Sequence, residues 1–186
     1  MHRHDAIRAH LRADLRRLVM TALKDSGIGR SQYRTQTTGD GLLVTVNAMV
    51  GKPRIVGGAM DRLAVGLRDY NRVIGVAERL RVRSVVHAGE VLIDGDGPLG
   101  HEVNFAFRLL DADELRVLLR ETSGPLIVCV SDTVFRQVVA QRHEGLDPSP
   151  FEPVSLGAKG LVALGWVRAP GDSGVAIRAG LLASRA

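Results

Sequence analysis

Cysteine is nearly absent from this chain: Cys129, inside the apolar run LIVCV, is the only one in 186 residues. A disulfide framework and a thiolate metal site within one chain are thereby excluded, and a reducing cytoplasm is the simplest setting. Aromatic residues amount to only 4%, a poor supply for a platform on which single-stranded nucleic acid would stack. No apolar run approaches the length of a membrane span. The opening MHRHDAIRAHLRADLRRL is too charged to hold the apolar core of a signal peptide. Internal repeats and low-complexity segments are missing as well.

What is present is an ordinary globular balance, 45% hydrophobic and 24% charged, in a chain long enough for one domain with a real core. The formal charge of +5 and a pI of about 10.1 favour anionic partners, either nucleotides or nucleic acid. Part of that excess is local, because Arg3, Arg8, Arg12, Arg16 and Arg17 crowd the first predicted helix. Two readings stand for them: a solvated helix face, or a surface for phosphates.

Apolar residues at helical spacing (Ile7, Leu11, Leu15, Leu18, Val19, Ala22, Leu23) predict a helix over 5–25, stopped by Gly27 and Gly29. A short polar strand over 31–37, the turn Gly39-Asp40-Gly41 and the run LLVTV (42–46) predict a hairpin, since Gly and Asp suit a tight turn. Residues 55–79 read as a second helix with Leu63, Leu67, Tyr70 and Ile74 on one side. Residues 80–94 read as strand, bend and strand with Gly89 at the bend, 101–120 as a third helix, and 125–132 as a buried strand. A short helix over 133–142 and strands in VSLGAKG and LVALGWV follow. This order predicts an α+β sandwich, helices over a mostly antiparallel sheet, with LLVTV, RVRSVV and LIVCV as neighbours in it.

Three pieces taken in order, TTGDGLLVTV, RVRSVVHAGEVLIDGDGPLGHEVNFAFRLLDA and VSLGAKGLVALGWV, resemble a class III nucleotidyl (adenylate/guanylate) cyclase homology domain of a divergent bacterial type. The specific element is the run G-x-x-V-N-x-x-x-R after an H-x-G-E-V strand. The resemblance implies a ferredoxin-like cyclase-homology sandwich over residues 1–168, with 169–186 left as a tail that could add a strand. It further implies a homodimer whose active sites lie between subunits, a purine nucleotide as ligand, and Mg²⁺ or Mn²⁺ as cofactor if the domain is active.

Residue by residue, the resemblance assigns Asp40 to the metal-binding aspartate of the hairpin. A carboxylate there is a suitable hard-oxygen ligand, and it is equally an ordinary turn residue. Asn104 and Arg108 match the Asn and Arg that steady the ribose and the transition state. Their i, i+4 spacing puts both on one helix face, and the Arg fork suits phosphate oxygens. The apolar residues around them suggest that this face looks onto a cleft or a subunit interface, the alternative being a solvated helix edge. Lys159, between glycines in GAKG, matches the triphosphate lysine. His87 and Glu90 match the H-x-G-E strand and are expected to be structural.

The sequence also departs from that pattern. The family's first strand, which carries a second metal-binding aspartate, has no counterpart ahead of the GD hairpin; Asp5 and Asp14 belong to the first helix. The two purine-reading positions hold Gln36 and Gly97, with Asp96 adjacent to the latter. Three sources for the expected strand stay open: sequence ahead of Met1, the tail VAIRAGLL, or a partner. The expectation is therefore a nucleotide-binding or regulatory dimerisation module with weak or no turnover. An active metal-dependent purine nucleotidyl cyclase is the first alternative, and a basic nucleic-acid-binding protein using the first helix is the second.

Overall fold

The structure is a computed structural model that describes residues 2–95, 97–158 and 160–171. The chain divides into two compact units, Met1–Leu80 and Arg81–Ala186. The tail run VAIRAGLL lies outside the described residues.

The first unit contains α1 (His2–Asp25), β1 (Tyr33–Thr38), β2 (Gly41–Val46) and α2 (Met60–Val73). Helix α1 buries Leu18, Ala22 and Leu23, the C-terminal part of the apolar stripe predicted from its spacing. It ends because Gly27 takes a positive φ of 74°. The amide of Ile28 then donates to the carbonyl of Leu23 (3.0 Å), and that of Gly27 to Lys24 (2.9 Å). This pairing is a Schellman cap, and buried Ile28 supplies its apolar contact.

Strands β1 and β2 form a two-stranded antiparallel sheet closed by the pair Thr38–Gly41. Gly39 has φ 59° and Asp40 does not have a positive φ, the signature of a II′ hairpin turn. The predicted helix over 55–79 is shorter. Arg54–Ala59 winds as a π-helix into α2, and the chain turns extended at Ile74. Asn71 then ties the returning chain down, donating to the carbonyl of Leu80 (2.8 Å) and accepting from its amide (2.9 Å).

The second unit holds β3 (Val82–Val86), β4 (Leu92–Asp94), β5 (Gly97–Leu99), α3 (His101–Asp111), α4 (Asp113–Glu121), β6 (Leu126–Ser131), α5 (Asp132–Val134), β7 (Glu152–Ala158) and β8 (Leu161–Arg168). Its main sheet has the order β3-β6-β8-β7. β3 and β6 are parallel, which requires a crossover, and the two helices between them supply it. The other two pairings are antiparallel. All six residues of β6 are buried. Leu109, Ala112, Leu115 and Leu118 of the crossover pack with Ile127, Cys129, Val154, Leu156 and Val167 of the sheet. At Gly165 a Cβ would stand 2.6 Å from Leu156 Cδ1 and 2.9 Å from Cys129 Sγ, so only glycine fits there.

The protein is thus α+β with helices over mixed and antiparallel sheets. Three expectations change in detail. LLVTV does not neighbour RVRSVV: β2 pairs only with β1 in its own sheet, while β3 and β6 are neighbours as expected. The helix expected over 101–120 breaks at Ala112, which is extended (ψ 135°) and fully buried. The bend after β3 is followed by a full hairpin, β4–β5, registered by Leu92–Leu99 and Asp94–Gly97.

Candidate functional site

Asp40 stands exposed at the tip of the β1–β2 hairpin. The turn places it there: Gly39 takes the positive φ and leaves the next position for a residue with ordinary backbone geometry. The guanidinium of Arg12, from the middle of α1, reaches this tip and donates from Nη1 to the carbonyl of Gly39 (3.2 Å). Gln36 is exposed on β1, opposite Leu43.

Asn104 and Arg108 lie one turn apart on α3, and both are exposed. Leu109 is buried in the core of the second unit and Phe105 packs against it. Phe105 and Leu109, which flank the pair in sequence, thus serve the helix's inner side, and among the described residues Asn104 and Arg108 stand exposed. Arg108 differs from most arginines of its unit. Arg81 and Arg83 are bound to backbone carbonyls, and Arg116 and Arg136 pair with aspartates. Among the described residues, neither the Arg108 nor the Asn104 side chain has a hydrogen-bond or ion-pair partner.

The first turn of α3 is held by His87, one position beyond the Val86–Val130 pair. Its Nδ1 lies 2.8 Å from Ser131 Oγ and its Nε2 2.5 Å from Glu102 Oε2. Glu102 also meets His101 Nδ1 at 3.0 Å. The His87 contact first, and His101 second, hold the Glu102 carboxyl below its usual range. Gly89 lets the loop pass close, since a Cβ there would stand 2.4 Å from Glu102 Cγ. His87 is therefore a brace joining the ends of β3 and β6 to α3, in keeping with the structural role expected for it. Glu90 is exposed. Asp96 and Lys159 lie outside the described residues.

The divalent metal implied by the resemblance does not fit what is described. Asp40 is a single carboxylate, and the group reaching its turn is the cation Arg12. Among the described residues no three His, Cys, Asp or Glu side chains gather into a ligand set. Two-metal phosphoryl chemistry needs carboxylates that clamp both ions, and these residues do not provide them. Cys129 is no nucleophile either, because burial pushes its thiol up to about 12. A groove of about 370 Å³ between α1 and α2, lined by Leu18, Ala22, Val65 and the acids Asp25, Asp61 and Asp69, contains none of the predicted site residues.

Compared with known proteins, the chain matches no family model and no curated protein. Among the described residues no helix is long and apolar enough to cross a membrane. Sequence reasoning missed Arg12 as a partner of the hairpin tip. The available signal was the repeat of arginine at 8, 12 and 16, which marks one helix face but not what it meets.

Proposed function

We propose that the chain is a divergent nucleotidyl cyclase-like domain, built on the ferredoxin-like cyclase-homology plan, that binds a purine nucleotide as a cytoplasmic homodimer and turns it over weakly or not at all. The observation that carries this reading is the exposed, unengaged pair Asn104 and Arg108 on α3. A guanidinium with no ion pair among the described residues, on a helix braced at its first turn by His87 and Glu102, leaves its fork available to phosphate oxygens. The order of motifs supports the same reading: a GD hairpin, then the H-x-G-E strand, then this helix. In a head-to-tail dimer, Asp40 of one subunit would meet Arg108 of the other.

The weak turnover follows from energetics. Phosphoryl transfer depends on positioning and on neutralising charge. Removing one donor to a developing charge already costs roughly 100- to 1000-fold in rate, and the described residues offer one candidate metal carboxylate where two are needed. Gln36 and Gly97 read a purine less firmly than charged side chains would.

The test is to incubate the purified chain with ATP or GTP and Mg²⁺ or Mn²⁺, to measure nucleotide binding, and to look for cyclic product by chromatography. The expected outcome is weak binding, reduced by Arg108→Ala, with little or no product. Robust product that disappears on Asp40→Ala would replace this reading with that of an active cyclase. No nucleotide binding under any condition would end it.

A further inference from the structure

The contact between α1 and the hairpin tip joins two features that the sequence presents separately, and its chemistry points to a ligand. Arg12 spends one of its five N–H donors on the carbonyl of Gly39. A carbonyl orients a guanidinium without cancelling its charge, unlike a carboxylate partner. The result is a full cation held in a fixed direction at an exposed turn, with donors to spare. Fixing it beforehand removes part of the ordering cost that a free arginine meets on binding.

The surroundings keep that charge uncompensated. Arg8 and Arg16 sit one turn to either side of Arg12 on α1 and are exposed, each about 6 Å along the axis at ~1.5 Å per residue. Among the side chains described from Ile7 onward, neither makes an ion pair. The acid nearest in sequence, Asp14, is already engaged by Arg17 at 3.0 Å, by the Tyr70 hydroxyl at 3.1 Å and by His10 at 3.2 Å. The Arg17 contact, above all, keeps its carboxyl below the usual range. Among the described residues, Asp40 is the carboxylate of the turn that Arg12 reaches, and the guanidiniums of Arg8 and Arg16 belong to the same face of α1. The tip is also sterically open, for a Cβ placed on Gly39 would meet nothing within 4 Å.

We infer that the β1–β2 tip is a phosphate seat that works without metal, in which Arg12, supported by Arg8 and Arg16, receives the polyphosphate chain of a nucleotide. This rests on the proposed nucleotide binding and adds to it which residues meet the phosphates and what supplies the positive charge. The resemblance calls for a divalent cation at Asp40, and the group that reaches this turn is an arginine, bound to the carbonyl of Gly39. Unlike a bound metal, an arginine cannot be removed by a chelator.

The experiment is calorimetric titration of the full chain with ATP and, separately, with inorganic triphosphate, each in EDTA and in Mg²⁺. The wild type is compared with Arg12→Ala, Arg12→Lys and the exposed control Arg72→Ala. Both ligands should bind in EDTA. Arg12→Ala should weaken both roughly tenfold, as for loss of a charge-assisted contact. Arg12→Lys should fall between, since it keeps the charge and loses the fork, and Arg72→Ala should be unchanged. Thermal melts of the variants separate a lost ligand contact from a lost fold, and Arg12→Lys carries the comparison if the alanine variant does not fold.

Binding that vanishes in EDTA, or is indifferent to Arg12, overturns this inference and leaves the nucleotide reading standing. ATP binding without triphosphate binding overturns the assignment of Arg12 to the phosphates. Failure of the wild type to bind either ligand in either buffer removes the nucleotide reading itself. A single-stranded oligonucleotide that outcompetes ATP with a steep dependence on salt would reassign the seat to nucleic acid.

Discussion

Strands β2 and β6 are near twins in sequence, LLVTV within one and LIVCV within the other, yet they lead different lives. Every described residue of β6 is buried, because β3 and β8 flank it and the α3–α4 crossover packs onto its sheet. Every residue of β2 is only half-buried, and it pairs with β1 alone. An apolar pentapeptide therefore announces a strand, but not how many neighbours that strand will have. Neighbours come from topology. β6 is the return of a right-sized crossover, and β2 is the return of a two-residue turn. A lone two-stranded hairpin is marginal in water, so β2 needs support from outside its sheet, whereas β6 has a strand on each side.

Leucine-to-alanine substitutions in the two strands sharpen this contrast most. Leu126→Ala in β6, where the side chain is 1% exposed, should destabilise by about 2–5 kcal/mol. Trp166 is the only tryptophan and sits in the second unit, so urea titration followed by its fluorescence reads the effect. Reaction of the single thiol, Cys129, with a maleimide should accelerate in parallel, since that thiol is reached only when the sheet opens. Next in size is Gly27→Ala. Its φ of 74° forces a side chain into the left-handed region at a cost of about 1–2 kcal/mol. Both tyrosines, Tyr33 and Tyr70, lie in the first unit, and their near-ultraviolet signal should melt earlier. Leu43→Ala in β2 follows at about 1 kcal/mol, half the value of a fully buried leucine, read by the same signal. A loss at Leu43 as large as that at Leu126 would erase the distinction between the strands.

The smallest effect is electrostatic and belongs to the second unit. The Glu102 carboxyl is held below its usual value of 4.5 mainly by His87. A group whose value is lowered on folding contributes stability above its unfolded value, and that stability is lost as pH falls through the folded one. Wild type and Glu102→Gln should therefore differ near about pH 6 and converge as the pH drops below 4.5. A difference that stays constant through that range would mean the brace acts by shape alone.

Much of the architecture was legible in the sequence where a local rule has one outcome. Gly27 at the end of a helical stripe gave the stop of α1, Gly39-Asp40 gave the hairpin, and the apolar run gave β6. The break at Ala112 was not legible. Alanine favours helix more than any other residue, and here burial against the sheet decides where propensity would continue the helix. LLVTV misled because apolar residues on both faces are the mark of a sheet interior, and no local signal counts neighbours. The site divides along the same line. The shared face of Asn104 and Arg108 follows from spacing, but the reach of Arg12 to Gly39 spans 27 positions and leaves no periodic trace. Gln36 and Asp40 were placed on strand and turn by the same hairpin rule, whereas Asp96 and Lys159 lie outside the described residues.

Two arginines at the start of the second unit have a bearing on how its parallel pair is aligned. Arg81 binds the carbonyls of Leu119 and Thr122, the latter at 2.5 Å, where α4 ends. Arg83, two residues on and so on the same side of β3, donates to the carbonyl of Leu110 (2.9 Å), where α3 ends. Sliding β3 by a single residue would send both guanidiniums to the opposite face and release the ends of both helices at once. The sheet's alignment is thus keyed from outside the sheet. A slipped strand would be rejected by the helices above it, even where a run of valines could tolerate the shift.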